Sequence, residues 1–101
     1  MNKIVNDKRE GYWEVCFDNG NISSKGNYKD GNQDGYWEDY FSSGNLWYKG
    51  NYKNGNREGY WEVYHSNGKL MSKGNFKNGE RNGCWERFND DGTPSYQAFY
   101  C

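Results

Sequence analysis

The sequence predicts an all-β protein, an elongated, twisted, single antiparallel sheet of stacked β-hairpins that form a meander. Three observations lead to this prediction: a 24-residue repeat that occurs about four times, turn sequences within every repeat, and few aliphatic residues beside many aromatic ones. A fixed period of this length is typical of stacked repeats, in which each unit buries its apolar side only against its neighbours. Two strands per repeat give eight expected strands.

Columns of tryptophan and glycine define the repeat. The tryptophan column consists of Trp13, Trp37, Trp61 and Trp85. The last repeat departs from the pattern, since Cys84 replaces a tyrosine and Ala98 replaces a glycine, and such departures are usual in terminal repeats. Residues 1–101 are therefore expected to form one domain, with repeats at about 3–26, 27–50, 51–74 and 75–101.

Turn sequences divide every repeat into two short segments. The stretches DNGN, SSGN, SNGK and DDGT place Asn, Ser or Asp before Gly, which favours two-residue hairpin turns with two positive φ angles. The other junctions, KDGNQDG, KNGNREG and KNGERNG, predict longer loops centred on glycine. Helices are not expected, because glycine recurs too often and no 3.6-residue apolar stripe is present.

The predicted turns also set a strand register. A turn at Ser43-Gly44 places Tyr40 opposite Trp47, and folding the longer junctions about their centres continues the pairing. One resulting row alternates in charge: Glu14, Lys25, Glu38, Lys49, Glu62, Lys73, Glu86. A second alternates tryptophan with a small residue: Trp13, Gly26, Trp37, Gly50, Trp61, Gly74, Trp85, Ala98. A third alternates glycine with an aromatic residue: Gly11, Tyr28, Gly35, Tyr52, Gly59, Phe76, Gly83, Tyr100.

These rows explain how a sheet with few aliphatic residues is stabilised. Opposite charges directly across a strand pair contribute roughly 0.2–1 kcal/mol. An aromatic ring that lies over a neighbouring glycine covers the bare backbone and restores burial. Large and small residues then alternate over one face of the sheet.

Composition excludes several classes of function. A net charge of -1 argues against binding to nucleic acids or anionic membranes, which needs a basic surface. No apolar run approaches a membrane span, and the start of the chain lacks the apolar core of a signal peptide. The three cysteines, without a C-x-x-C motif, indicate reduced thiols and a cytoplasmic protein, with a disulfide as the alternative.

Catalytic and metal-binding patterns are not found in the sequence. His65 is the only histidine, and its column also contains Phe17 and Phe41, so it is interpreted as a surface residue. Cys84 and Cys101 could approach diagonally, but two thiols make a poor metal site. We expect no enzymatic activity, no cofactor and no metal.

The segment KGNYKNGNREGYWEVYHSNGKL, at residues 49–70, resembles the MORN repeat, and more closely its bacterial variant form. The resemblance extends from about Gly11 to Tyr100. It implies an elongated, twisted sheet of successive hairpins used for contact with proteins or lipids. Bacterial proteins of this type are often labelled antitoxin components of toxin–antitoxin modules. The lack of a basic surplus favours protein over lipid.

Positions that vary between repeats are free to carry specificity. The varying row on the glutamate–lysine face predicts a partner-binding patch of Tyr40, Trp47, Tyr64, Met71 and Phe88. No repeat requires the tryptophan of this patch, since its equivalents are Ser23, Met71 and Ser95. Ordinary cross-strand packing would use the same residue types. A further varying column lies on the opposite face: Val15, Asp39, Val63 and Arg87.

The expected function is therefore a non-enzymatic protein-binding module that neutralises its partner. Such a module would be an antitoxin, an immunity protein or a phage inhibitor of a host defence nuclease, and its partner a toxin, effector or defence enzyme. Direct contact with nucleic acid or membrane is not expected, and a homodimer is compatible with the pattern. The alternative is a structural scaffold that self-assembles through its sheet edges and aromatic faces.

Overall fold

The computed structural model of the protein describes the backbone of residues 2–100 and the side chains of residues 2–95. These residues form one antiparallel sheet of nine strands in the order of the chain, which confirms the predicted meander. The strands are β1 (Lys3–Val5), β2 (Lys8–Cys16), β3 (Ile22–Lys29), β4 (Asn32–Tyr40), β5 (Leu46–Lys53), β6 (Asn56–Tyr64), β7 (Leu70–Lys77), β8 (Glu80–Phe88) and β9 (Pro94–Tyr100). The molecule measures 45 × 35 × 12 Å, so the sheet is a single layer. None of the described residues belongs to a helix that is long and apolar enough to cross a membrane.

The first strand, β1, was not expected, and the prediction of eight strands is wrong by one. Its role is seen from Trp13, whose indole Nε1–H donates to the Lys3 carbonyl at 3.2 Å, ten residues earlier. Trp37 makes the same bond to the Asn27 carbonyl at 2.8 Å. The short strand β1 therefore reproduces the part of a repeat that the first tryptophan needs as a hydrogen-bond acceptor.

The lengths of the two kinds of turn are the reverse of the prediction: the junctions expected to be long loops are two-residue turns, and the expected two-residue turns are longer. The junction between β5 and β6 is a two-residue turn in which Asn54 and Gly55 have φ angles of 51° and 85°. The loop after β4 is longer, and in it only Gly44 has a positive φ, of 98°. It is closed by bonds from the Phe41 N–H to the Asn45 carbonyl (2.8 Å) and from the Gly44 N–H to the Phe41 carbonyl (2.9 Å). This is a three-residue loop that ends in a left-handed glycine, a geometry that produces a β-bulge.

The bulge changes the register at the end of every such hairpin. Asp39 pairs with Tyr48, but Tyr40 pairs with Leu46, so Trp47 is the extra residue. The expectation that Tyr40 faces Trp47 is therefore wrong. The same shift occurs in the other three hairpins, where the extra residues are Ser23, Met71 and Ser95.

The alternating glutamate–lysine row is confirmed from Glu14 to Glu86 without a break. Two of its pairs form ion pairs across neighbouring hairpins. Lys25 Nζ lies 3.3 Å from Glu38 Oε1, and Lys49 Nζ lies 3.4 Å from Glu62 Oε1. We call the side of the sheet that carries this row the ladder face.

The tryptophan–glycine row is also observed, and the indoles of Trp37, Trp61 and Trp85 each lie over the glycine of the preceding strand. Trp61 pairs with Gly74, while its indole covers Gly50 of β5. Trp85 in turn covers Gly74 and pairs with Ala98, whose side chain lies outside the described residues. We call this side of the sheet the tryptophan face.

The third predicted row, of glycines and aromatic residues, is correct only within hairpins that close through the longer loops. Gly35 pairs with Tyr52, as expected, but Tyr52 pairs with Arg57 rather than with Gly59. The two-residue turn is tighter than the predicted loop, and the surplus residues are taken up by an irregularity at Gly59, which has a φ of 77°. The side chain of Tyr100, at the end of this row, lies outside the described residues.

The core of the protein is a file of aromatic rings on the tryptophan face. Its buried members are Trp37, Trp61, Phe76 and Trp85. Successive rings meet edge to face, such as Tyr52 on Trp61 at 5.0 Å and Phe76 on Trp85 at 5.0 Å. The Arg57 guanidinium lies 5.3 Å from the ring centre of Trp61 and covers the file from outside.

We expect the substitution Asp7→Gly to raise the free energy of unfolding by about 0.5–1 kcal/mol. Asn6 and Asp7 form the turn between β1 and β2, with φ angles of 50° and 62°. Glycine occupies the second position of each equivalent turn, and it adopts this left-handed conformation without strain. Urea unfolding and the exchange protection of the β1 amides would measure the gain. Asp7→Asn is the control for the lost charge, and an equal gain in that variant would contradict the conformational explanation.

Candidate functional site

On the ladder face, hydrogen bonds organise tyrosines around each central carboxylate. Glu38 accepts bonds from the hydroxyls of Tyr36 (2.7 Å) and Tyr40 (2.6 Å), two residues away on either side. The ion pair with Lys25 adds a third contact to the same carboxylate. Glu62 repeats this arrangement one repeat later with the hydroxyls of Tyr60 (3.1 Å) and Tyr64 (2.9 Å).

These contacts determine the ionisation of the ladder face. Burial by itself raises the pKa of Glu38, but the hydrogen bonds from Tyr40 and Tyr36 and the pairing with Lys25 outweigh it, so the pKa lies below its ordinary value. Burial and the neighbouring Glu62 raise the pKa of Tyr64 to about 12. The face therefore presents ionised carboxylates and neutral phenols at physiological pH.

Three of the five predicted partner-binding residues lie on the ladder face. Tyr40 and Tyr64 flank their glutamates, and Phe88 lies under Lys73, whose Nζ is 5.9 Å from the ring centre. One strand lies between each of these residues and the next, and that strand contributes a residue other than the predicted one. Those residues are Leu46, which pairs with Tyr40, and Leu70, which pairs with Tyr64.

Trp47 lies among residues of the tryptophan face, so the predicted continuous patch is wrong. Its ring stacks on Phe41, with ring centres 5.3 Å apart, and meets Tyr48 edge to face at 5.0 Å. Tyr48 in turn contacts the core ring of Trp61 at 6.0 Å. The bulge is the cause, since an extra residue breaks the alternation of side chains between the two faces. Met71 occupies the corresponding bulge in the next repeat.

A carboxylate accompanies Trp47 on the tryptophan face. Asp39 pairs with Tyr48, and its carboxylate is half-buried. Burial raises the pKa of Asp39, while the hydrogen bond from Tyr48 and the charge of Arg57 act in the opposite direction. Burial is also the main reason why the pKa of Tyr48 is raised to about 12.

The remaining reactive side chains are dispersed. His65, directly after β6, has its Nε2 atom 3.0 Å from the carbonyl of Phe88, the last residue of β8. Cys16 and Cys84 are exposed thiols, and Cys101 lies outside the described residues. Among the described residues, no three His, Cys, Asp or Glu side chains come together as ligands for a metal ion.

Sequence reasoning did not bring Phe41, Tyr48 and Asp39 together with Trp47. The signal was present in the loops DNG, SSG, SNG and DDG, in which glycine is the third residue. A three-residue loop of this kind predicts a bulge and a shifted register. The two-residue interpretation of the same letters placed Trp47 on the other face.

Comparison with known families agrees with the repeat seen in the sheet. Four consecutive segments match the family model described as the MORN repeat variant, at residues 9–30, 33–54, 57–78 and 81–101. Each of the first three begins near the start of an even-numbered strand and ends in the two-residue turn that follows the next strand. None of the curated proteins matches the chain.

Proposed function

The chain belongs to the MORN repeat variant family, and from this premise we propose that it is a non-enzymatic module that binds a partner protein in the cytoplasm and blocks its activity. Repeats of this family are modules for interaction with proteins and membranes. The partner would be a toxin, an effector or a defence enzyme. The module would then serve as an antitoxin, an immunity protein or a phage inhibitor of a host defence nuclease.

The observation that carries this proposal is the exposure of Trp47. Its side chain is 43% exposed, although the equivalent bulge positions accept serine in two other repeats, Ser23 and Ser95. The fold therefore does not require an indole at this position. Exposed tryptophans that a fold does not need are typical anchors of protein interfaces.

The shape and charge of the molecule support contact with a protein. Each face of the sheet extends over 45 by 35 Å, and a typical interface needs about 800 Å² from each partner. Because the sheet is a single layer, no second layer of the described chain covers either face. A net charge of -1 gives little attraction to anionic lipids or nucleic acids.

The direct test is to isolate the tagged chain from its source cells and to identify a protein that coelutes in fixed stoichiometry. The activity of that protein is then assayed alone and with one equivalent of the chain. Loss of activity in the saturated complex supports the proposal. A partner that stays fully active when bound would contradict inhibition, and the absence of any stoichiometric complex would contradict partner binding.

In this complex we expect Trp47→Ser to reduce affinity by about 2 kcal/mol or more, since a central tryptophan is a frequent hot spot. The free energy of unfolding should change by about 1 kcal/mol or less, because serine is what other repeats carry at the bulge. Calorimetric titration and a thermal melt measure the two effects. Unchanged affinity in a well-folded variant would move the site to the ladder face, where Tyr40→Ala and Tyr64→Ala would test it.

Self-assembly is the alternative function, and the two edges of the sheet favour it. β1 pairs only with β2, and β9, a seven-residue strand, pairs only with β8. Unpaired edges can add strands from other copies. Light scattering separates the alternatives: oligomers that grow with concentration support a scaffold, whereas a fixed monomer or dimer supports the binding module.

A further inference from the structure

An aromatic group around Trp47 leaves one indole accessible. Trp47 stacks on Phe41 with an angle of 27° between the ring planes, and Tyr48 meets it at 65°. The side chain remains 43% exposed. Trp47 also differs in its hydrogen bonding, because the indole N–H groups of the other four tryptophans donate to backbone carbonyls, and the described residues provide no such bond to Trp47.

A carboxylate lies beside this aromatic group. Asp39 lies in β4 and Phe41 directly follows that strand, and Asp39 pairs with Tyr48, whose hydroxyl acts to lower the pKa of the Asp39 carboxyl. No other repeat has an acid in this column, whose other members are Val15, Val63 and Arg87. Asp39 is half-buried, and burial raises its pKa more than the Tyr48 hydroxyl and the charge of Arg57 lower it, so these neighbours offset the loss of water around its carboxylate only in part.

The same face of the sheet already binds cations on aromatic rings. The Arg9 guanidinium lies 4.9 Å from the ring centre of Trp13, and that of Arg57 lies 5.3 Å from those of Trp61 and Phe76. Guanidinium groups over indoles are thus a packing mode of this sheet. Arg57 also lies 5.7 Å from the ring centre of Tyr48, but among the described residues no cation lies over the ring of Trp47, which leaves that ring to a cation from elsewhere.

We propose that Trp47, Phe41, Tyr48 and Asp39 form a receptor for a basic side chain, arginine or lysine, of the partner protein. This inference rests on the proposed function and adds the chemistry of the contact. The exposed indole provides the face for a cation–π interaction. The Asp39 carboxylate compensates the positive charge of the basic side chain, which loses its surrounding water on binding. Phosphate groups are disfavoured as ligands, because a carboxylate repels them.

Nuclear magnetic resonance tests the receptor with a defined probe. In ¹⁵N-labelled protein, the Trp47 indole signal is identified by its loss in Trp47→Ser. The probe is the peptide acetyl-Gly-Arg-Gly-amide, and its control replaces arginine by citrulline, which has nearly the same shape without the charge. We expect a saturable shift of the Trp47 signal with the arginine peptide and an affinity about fivefold weaker for the citrulline peptide.

Two charge variants complete the test. Asp39→Val reproduces the residue of the first and third repeats and should weaken binding of the arginine peptide about fivefold. Asp34→Asn removes one charge from the same strand and should leave binding unchanged. Equal binding of the two peptides, or unaltered binding by Asp39→Val, would overturn the receptor.

The outcome separates this inference from the proposed function. If Trp47→Ser weakens binding of the identified partner protein but Asp39→Val does not, the cation receptor is wrong and partner binding stands. The receptor is supported if both variants weaken that complex by comparable factors. It also requires that replacing one basic residue of the partner lowers the affinity no further when the chain carries Asp39→Val. If the arginine peptide binds selectively but no partner protein exists, the receptor stands and the inhibitory function is wrong.

Discussion

Trp61→Ala is expected to lower the free energy of unfolding by about 3–5 kcal/mol, which is a large part of the stability of a domain of this size. The indole is only 1% exposed and lies in the centre of the aromatic file, between Tyr52 at 5.0 Å and Phe76 at 5.9 Å. Its N–H also donates to the Asn51 carbonyl at 3.1 Å. Alanine would leave a cavity over Gly50 and an unpaired carbonyl beside it.

Urea unfolding measures this loss, and a second tryptophan provides the matched control. Trp47→Ala removes the same side chain from an exposed position and should cost about 1 kcal/mol or less. If Trp61→Ala does not fold, Trp61→Phe retains a ring at the site and should show a smaller loss in the same direction. Similar losses for the two alanine variants would contradict the assignment of the core to the aromatic file.

Gly50→Ala is expected to cost about 1–3 kcal/mol, near the upper end of this range, although it adds only one methyl group. The new Cβ would overlap with the Cγ, Cδ2 and Cε2 atoms of Trp61, which lies flat over the glycine. The φ angle of Gly50 is not in the left-handed region, so the loss would come from the clash and not from the backbone. Asn51→Ala, on an exposed neighbour in the same strand, is the control.

A double-mutant cycle makes the clash explicit. In the background Trp61→Ala, the substitution Gly50→Ala should cost little or be favourable, because the ring that it meets has gone. The coupling free energy between the two positions should therefore be large and opposite in sign to the single losses. Additive effects would show that Gly50 is required for a reason other than the indole above it.

Much of the sheet was predictable, because its determinants are local and are repeated. Only one register places Glu38 opposite Lys49 and Trp37 opposite Gly26, and both pairs are favourable. The same residue types recur in the other repeats and favour the same register. Antiparallel hairpins join residues that are near each other in sequence, so the strand order follows the chain. The central rows of the sheet were therefore correct where strands pair away from their turns.

The ends of the strands were decided by tertiary structure. Whether a glycine turn spans two or three residues depends on φ angles and on bonds between neighbouring loops, such as that from Asn45 Nδ2 to the Ser66 carbonyl at 2.9 Å. The Gly55 N–H likewise donates to the Gln33 carbonyl of the preceding repeat at 3.0 Å, which one repeat alone does not reveal. These contacts fix the loop length, and the loop length inserts the bulge.

The sequence by itself thus determined the single-layer sheet, its charge ladder and its aromatic core. It also identified Trp47 as a residue that the scaffold does not need. The folded chain showed on which face Trp47 lies, that Phe41 and Tyr48 contact its ring, and that Asp39 pairs with Tyr48 beside it. The physical reason is that side chains alternate with a period of two, so one extra residue at a bulge transfers a side chain to the opposite face.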